Sequence, residues 1–186
     1  IAASLEKGIE LEFEGAITSV PYIQMTLSLL NEVGIETSFE GQFIKISPKA
    51  TIENTKITVE SDWSSASYYY SLVALSENGK IKLNSYKQKS LQGDSVLSEI
   101  YKSFGVQTTF GENSITLEKI KDFKNPPTVR FDLIKAPDIA QTIAVTAFGM
   151  GIACELTGLH TLKIKETDRL VALDVELKKL GADISV

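Results

Sequence analysis

Between Lys165 and Arg169 the sequence Lys-Glu-Thr-Asp-Arg crowds four charged side chains into five positions. The segment Lys163 to Leu170 falls where a strand is expected to end and a helix to begin. Thr167 or Asp168 can cap that helix, and a helix start with outward N–H groups attracts anions. Lys165 and Arg169, four residues apart, add two cations at its mouth. Arginine grips a phosphate or carboxylate in bidentate fashion, whereas lysine acts as a point charge. Glu166 sits between the cations and is expected to be ionised when the site is empty. A doubly anionic ligand would raise its proton affinity and prepare it for proton transfer. The same residues also read as a solvated helix cap with a surface ion pair.

Two further segments could contribute. Asp138 follows Pro137 and opens an apolar helix expected over Ile139 to Gly149. It reads either as an N-cap or as a base that takes a proton from a substrate hydroxyl at a strand–helix junction. Ser19-Val20-Pro21-Tyr22 opens an amphipathic helix, with Ser19 as its cap, Pro21 in its first turn and Tyr22 either packing or reaching the same mouth. His160 is the only histidine and has no partner at metal-ligand spacing, so neither metal binding nor catalysis is assigned to it. Cys154 is expected inside a helix as a core residue, and Tyr68-Tyr69-Tyr70 as packing aromatics. No phosphate-binding glycine loop, dinucleotide fingerprint or nucleophile elbow occurs.

The elements that must hold these residues repeat. An amphipathic helix, a hydrophobic-Gly-hydrophobic step and a strand recur at Gly34, Gly105 and Gly181, spaced by 71 and 76 residues. Each glycine suits the left-handed residue that ends a helix. Asp62 and Asp138 each precede an apolar helix, 76 residues apart, and Asp94 and Asp168 each open an amphipathic one, 74 apart. Strands are expected at Ile9 to Phe13, Phe43 to Ile46, Lys56 to Val59, Lys80 to Leu83, Ser114 to Leu117, Thr128 to Phe131 and Thr161 to Ile164. The unit is therefore βαβαββ over about 75 residues, an α/β (α+β) layer architecture.

Bulk properties narrow the function classes. With 19 basic and 24 acidic residues the net charge is −5, and no basic cluster suggests a nucleic-acid face. The most apolar run, Ile139 to Leu156, is broken by Gln141, Thr142, Thr146 and Glu155, so a buried helix is expected rather than a membrane span. No signal peptide is visible, and a single cysteine fits a cytoplasmic setting. The opening Ile-Ala-Ala-Ser resembles the tail of a helix. Together with the abrupt end at Val186, it is expected of an internal piece of a longer protein.

Read together, Pro137-Asp138-Ile139-Ala140-Gln141-Thr142 and Lys165-Glu166-Thr167-Asp168-Arg169 resemble the 5-enolpyruvylshikimate-3-phosphate synthase family. Ser19-Val20-Pro21-Tyr22, Asp62-Trp63-Ser64-Ser65-Ala66-Ser67 and Leu91-Gln92-Gly93-Asp94 fall in register with them. The resemblance implies the enolpyruvyl transferase fold: two lobes of three repeated subdomains, with the active site in the cleft between lobes. Residues 1–60 would be the last part of one lobe, and residues 61–186 two subdomains of the other.

It further implies transfer of an enolpyruvyl group from phosphoenolpyruvate to the 5-hydroxyl of shikimate 3-phosphate, by addition and elimination, in aromatic amino-acid biosynthesis. Neither a metal nor an organic cofactor is implied, and the intact enzyme would be a monomer. By motif, Asp138 would take the 5-hydroxyl proton and Glu166 would protonate the methylene carbon. Lys165, Ser19 and Tyr22 would contact shikimate 3-phosphate, and Arg169 phosphoenolpyruvate. Thr161 stands where the family often has Asn. The family's N-terminal Lys and Arg, its Ser-Ser-Gln motif and its C-terminal Arg and Lys lie outside this chain, so the piece alone is expected to turn over little. The alternatives are the related transferase acting on UDP-N-acetylglucosamine and a non-catalytic scaffold of the same fold.

Overall fold

The computed structural model describes residues 1–186. The chain divides into two compact units, Ile1–Val59 and Glu60–Val186.

In the first unit β1 (Ile9–Glu12), α1 (Val20–Glu32), β2 (Thr37–Glu40) and β3 (Phe43–Ile46) follow in order. The sheet runs β1-β3-β2, with both neighbours antiparallel to β3. Alternation along β3 turns Ile44 and Ile46 inward, onto Leu27 and Ile35. Ala2–Ser4 form a single 3-10 turn.

The second unit contains α2 (Trp63–Leu75), β4 (Lys80–Asn84), α3 (Leu97–Ile100), β5 (Val106–Phe110) and β6 (Ser114–Lys119). These are followed by β7 (Thr128–Asp132), α4 (Ala140–Met150), β8 (Ala153–Thr157) and α5 (Arg169–Lys179). Its sheet β4-β6-β5 repeats the order and antiparallel pairing of β1-β3-β2, while β7 and β8 pair in parallel. The repeat read from the sequence is thus visible as topology. One core serves the whole unit, around Trp63, Tyr70, Tyr101, Phe104, Ile139 and Ile143.

The pairing of α2 with α4 positions the site. Ser67 Oγ lies 2.9 Å from Thr142 Oγ1, and Ser71 Oγ lies 2.8 Å from Thr146 Oγ1. Both pairs are 75 residues apart in sequence, and a constant offset means the helices run in the same direction. Small side chains allow the close approach, and Tyr101 OH, 2.9 Å from Thr146 Oγ1, completes a buried hydroxyl cluster. Both N-termini therefore open at the same end.

Several local expectations are corrected. The apolar run from Ile139 to Leu156 is not one helix: α4 stops at Met150, Gly151 is left-handed, and β8 follows, so Cys154 lies in a strand. Burial raises its thiol to about 11. His160–Ile164 is a 3-10 helix, so the strand expected at Thr161 to Ile164 does not form, and Lys56 to Val59 has no regular structure because no neighbouring strand pairs with it. No strand follows Gly181. The amphipathic segment after Gln92 breaks into 3-10 turns flanking the short α3. Of the three tyrosines only Tyr70 is in the core; Tyr68 and Tyr69 are exposed.

Gly34, Gly105 and Gly181 do adopt the left-handed conformation, with φ of 79°, 74° and 91°. At Gly105 a Cβ would also sit 2.5 Å from Phe123 Cγ. Gly105→Ala is therefore expected to destabilise the protein by more than about 1 kcal/mol, measured by urea unfolding; an unchanged midpoint would contradict this.

Candidate active site

Three helix starts surround the charged residues, and their caps differ. Asp62 caps α2: its carboxylate accepts from Ser64 N at 2.9 Å, Ser65 N at 3.3 Å and Ser65 Oγ at 2.7 Å. Partial burial pushes the Asp62 carboxyl up, but these hydrogen bonds outweigh it and hold the group below its ordinary value. Asp168 caps α5, accepting from Leu170 N at 3.0 Å and Val171 N at 3.1 Å. The amide donors expected to seat an anion at α5 are thus partly taken by its own cap. At α4 no side chain caps the helix; a 3-10 turn, Pro137–Ile139, leads into it.

Asp138 sits in that turn, in the position Asp62 holds one repeat earlier, and it does not cap. The N-cap reading is corrected here: its carboxylate turns to the cations of the Lys165–Arg169 loop. Arg169 Nη1 donates to Asp138 Oδ1 at 3.0 Å, and Lys165 Nζ lies 3.2 Å from Oδ1 and 3.5 Å from Oδ2. The same guanidinium donates to Glu166 Oε1, from Nη2 at 2.6 Å and from Nε at 3.2 Å. Two carboxylates and two cations thus meet through Arg169. The Asp138, Lys165 and Arg169 side chains are only 20%, 34% and 27% exposed, whereas Glu166 is 69% exposed. Hydrogen bonding to Arg169 holds Glu166 below the ordinary carboxylate range, as expected from sequence, and Glu166 in turn raises Arg169.

Asp138, Lys165 and Arg169 face a cleft of about 280 Å³ lined also by Thr142, Asp62, Ser64, Ser65, Ser67 and Tyr68, with Glu166 held at its edge only through Arg169. Asp138 and Arg169 also border a neighbouring groove of about 720 Å³ with apolar walls from Leu72, Val145 and Leu173. Two shielded cations, an uncapped helix start and the Asp138 carboxylate, with Glu166 on the same guanidinium, are chemically able to hold a small anion and to move protons.

The structure therefore unites Asp138, Lys165, Glu166 and Arg169. Ser19 and Tyr22 belong to the first unit: Ser19 starts α1 with a left-handed backbone (φ 56°) and makes no side-chain cap, and Tyr22 lies in the first turn of the helix. The residues of α2 that line the cleft, Asp62 and the serines, were not expected there. The 76-residue spacing of Asp62 and Asp138, both at helix starts, is the signal that could have found them. Thr161 does not line the cleft; its Oγ1 is shielded and has no hydrogen-bond partner.

Comparison with known proteins gives the family. The 3-phosphoshikimate 1-carboxyvinyltransferase of Bacteroides fragilis is 40% identical over 185 residues, covering 97% of this chain and 44% of the relative. That of Histophilus somni is 34% identical over 193 residues, covering 99% and 42%. The chain thus spans less than half the length of these relatives. The solved EPSP synthase of Acinetobacter baumannii shares the fold, with a TM-score of 0.62 at 24% identity over 81% of this chain and 35% of that one. The model of the EPSP synthase (3-phosphoshikimate 1-carboxyvinyltransferase) family matches residues 1–186, the whole sequence, and the chain belongs to that family.

Proposed function

We propose that the protein carrying this chain transfers the enolpyruvyl group of phosphoenolpyruvate to the 5-hydroxyl of shikimate 3-phosphate and releases phosphate, and that this chain supplies part of the site. The observation that carries the reading is the shared guanidinium of Arg169, which ties Asp138 to Glu166 beside Lys165.

In the addition step the 5-oxygen bonds to C2 of phosphoenolpyruvate as Asp138 takes its proton and Glu166 gives a proton to the methylene carbon. In the elimination step the new methyl group returns a proton to Glu166, the double bond re-forms, and the C–O bond to phosphate breaks as Asp138 passes its proton to the departing phosphate. Arg169 binds phosphoenolpyruvate and Lys165 the acceptor's anionic side. For Ser19 and Tyr22 a contact to shikimate 3-phosphate rests on the motif match alone. Within the proposal the first unit is the last part of one lobe and the second unit two subdomains of the other. No helix is long and apolar enough to cross a membrane.

The test is phosphate release by the intact protein with phosphoenolpyruvate and each acceptor. Turnover with shikimate 3-phosphate and none with UDP-N-acetylglucosamine is expected. Turnover with the sugar nucleotide alone, or with neither, would overturn the proposal. Residues 1–186 in isolation are expected to release no measurable phosphate.

A further inference from the structure

The segment Leu91-Gln92-Gly93-Asp94 has no part in the chemistry above, yet it straps the start of α2. Gln92 Oε1 accepts the Trp63 N–H at 2.8 Å, and Gln92 Nε2 donates to the Ser61 carbonyl at 2.8 Å. Asp94 Oδ2 accepts a hydrogen bond from the Ser64 hydroxyl, and Ser64 lines the cleft with Asp138, Lys165 and Arg169. One repeat later, Asp168 caps its own helix, whereas Asp94 caps none.

Asp94 is only 4% exposed. Burial raises its carboxyl, the Ser64 hydrogen bond opposes this, the like charges of Asp138 and Asp62 raise it further, and Lys165 lowers it. A carboxyl raised in the folded state favours folding when protonated, and that contribution is lost as pH rises from its unfolded value through its folded one. Burying a carboxylate here works against stability, so its presence asks for another reason.

Ser64 has one hydroxyl proton, committed to Asp94, so toward the cleft its oxygen can only accept. The Lys165 ammonium has three protons and meets a single carboxylate, that of Asp138. We propose that Asp94 is a positioning residue: through Ser64 it holds a fixed acceptor in the cleft that Lys165 also lines, which helps aim the Lys165 ammonium at the phosphorylated acceptor substrate. The inference rests on the proposed function for the role of Lys165.

The experiment compares Asp94→Asn with the intact wild-type protein, measuring KM for both substrates and thermal unfolding. Asparagine keeps the shape, but its amide can donate to Ser64 Oγ as well as accept from it, so the hydroxyl proton is no longer committed and Ser64 ceases to be a fixed acceptor. KM for shikimate 3-phosphate is expected to rise about tenfold, with KM for phosphoenolpyruvate within about twofold and the unfolding temperature unchanged or higher. An acceptor KM within about twofold of wild type overturns the inference. So does a loss shared by both substrates together with a lower unfolding temperature, which marks a purely structural role. If Asp94→Asn does not fold, Ser64→Ala and Ser64→Thr decide: the inference requires a raised acceptor KM in the first and its recovery in the second, and any other pattern overturns it. A wild-type protein without enolpyruvyl transfer would instead sink the proposed function.

Discussion

Asp138→Asn in the intact protein is expected to lower turnover about a thousandfold while leaving the protein folded. Asparagine matches the shape of aspartate but cannot take a proton from a hydroxyl at neutral pH. Asp138 caps no helix, so the substitution removes no cap. What it removes is one largely shielded anion beside Lys165 and Arg169, a loss of about 1–2 kcal/mol, because both cations keep some solvent and Arg169 keeps Glu166. The residue one repeat earlier makes the contrast sharp. Asp62 accepts two amide N–H groups and a hydroxyl at the start of α2, so Asp62→Ala should cost about 1 kcal/mol of stability. Turnover and urea unfolding, measured on each variant, separate the two jobs. Turnover of Asp138→Asn within about tenfold of wild type would remove Asp138 from the proton-transfer role.

The same pair shows what a sequence can and cannot express. Aspartate at a helix start is a local signal, and it located both residues correctly. Whether the carboxylate caps its helix or turns away depends on Arg169, 31 residues distant, and local preference carries no information about that contact. The left-handed glycines were legible because Gly34, Gly105 and Gly181 answer a purely local demand. Lys56 to Val59 failed as a strand for the opposite reason, since a strand exists only with a partner to pair with.

The missed β8 has a third cause. The run from Ile139 to Leu156 is mostly apolar, and a buried helix and a buried strand look alike in such a run. Gly149 and Gly151 were the available punctuation, and it is Gly151, at φ 67°, that ends α4 before Ala153. The repeat was the most reliable guide because it combined many weak signals. It gave the order along the chain of the elements that build both antiparallel sheets, though not the strand order within them, and it aligned the starts of α2 and α4. That alignment builds the cleft, although Ser64 and Ser67 carry no mark of it by themselves.

Arg169→Ala is expected to reduce kcat/KM for phosphoenolpyruvate at least about a hundredfold, and Arg169→Lys is expected to recover only part of the loss. Lysine restores the charge but cannot hold Asp138 and Glu166 from one planar group, as Nη1, Nη2 and Nε now do. The arrangement also predicts a proton count. Without substrate, hydrogen bonds from Arg169 depress the Glu166 pKa. An incoming carboxylate or phosphate competes for the same guanidinium and adds negative charge nearby, so the pKa must rise on binding. A rise on binding means proton uptake, in the pH window between the depressed value and the raised one, and affinity that strengthens as pH falls through that window. Calorimetry of phosphoenolpyruvate binding at about pH 5, in buffers of different ionisation enthalpy, reads the uptake directly. Glu166→Gln should abolish it, because glutamine has no proton to gain. Equal uptake in wild type and Glu166→Gln would show that the proton goes elsewhere and that Arg169 does not govern Glu166.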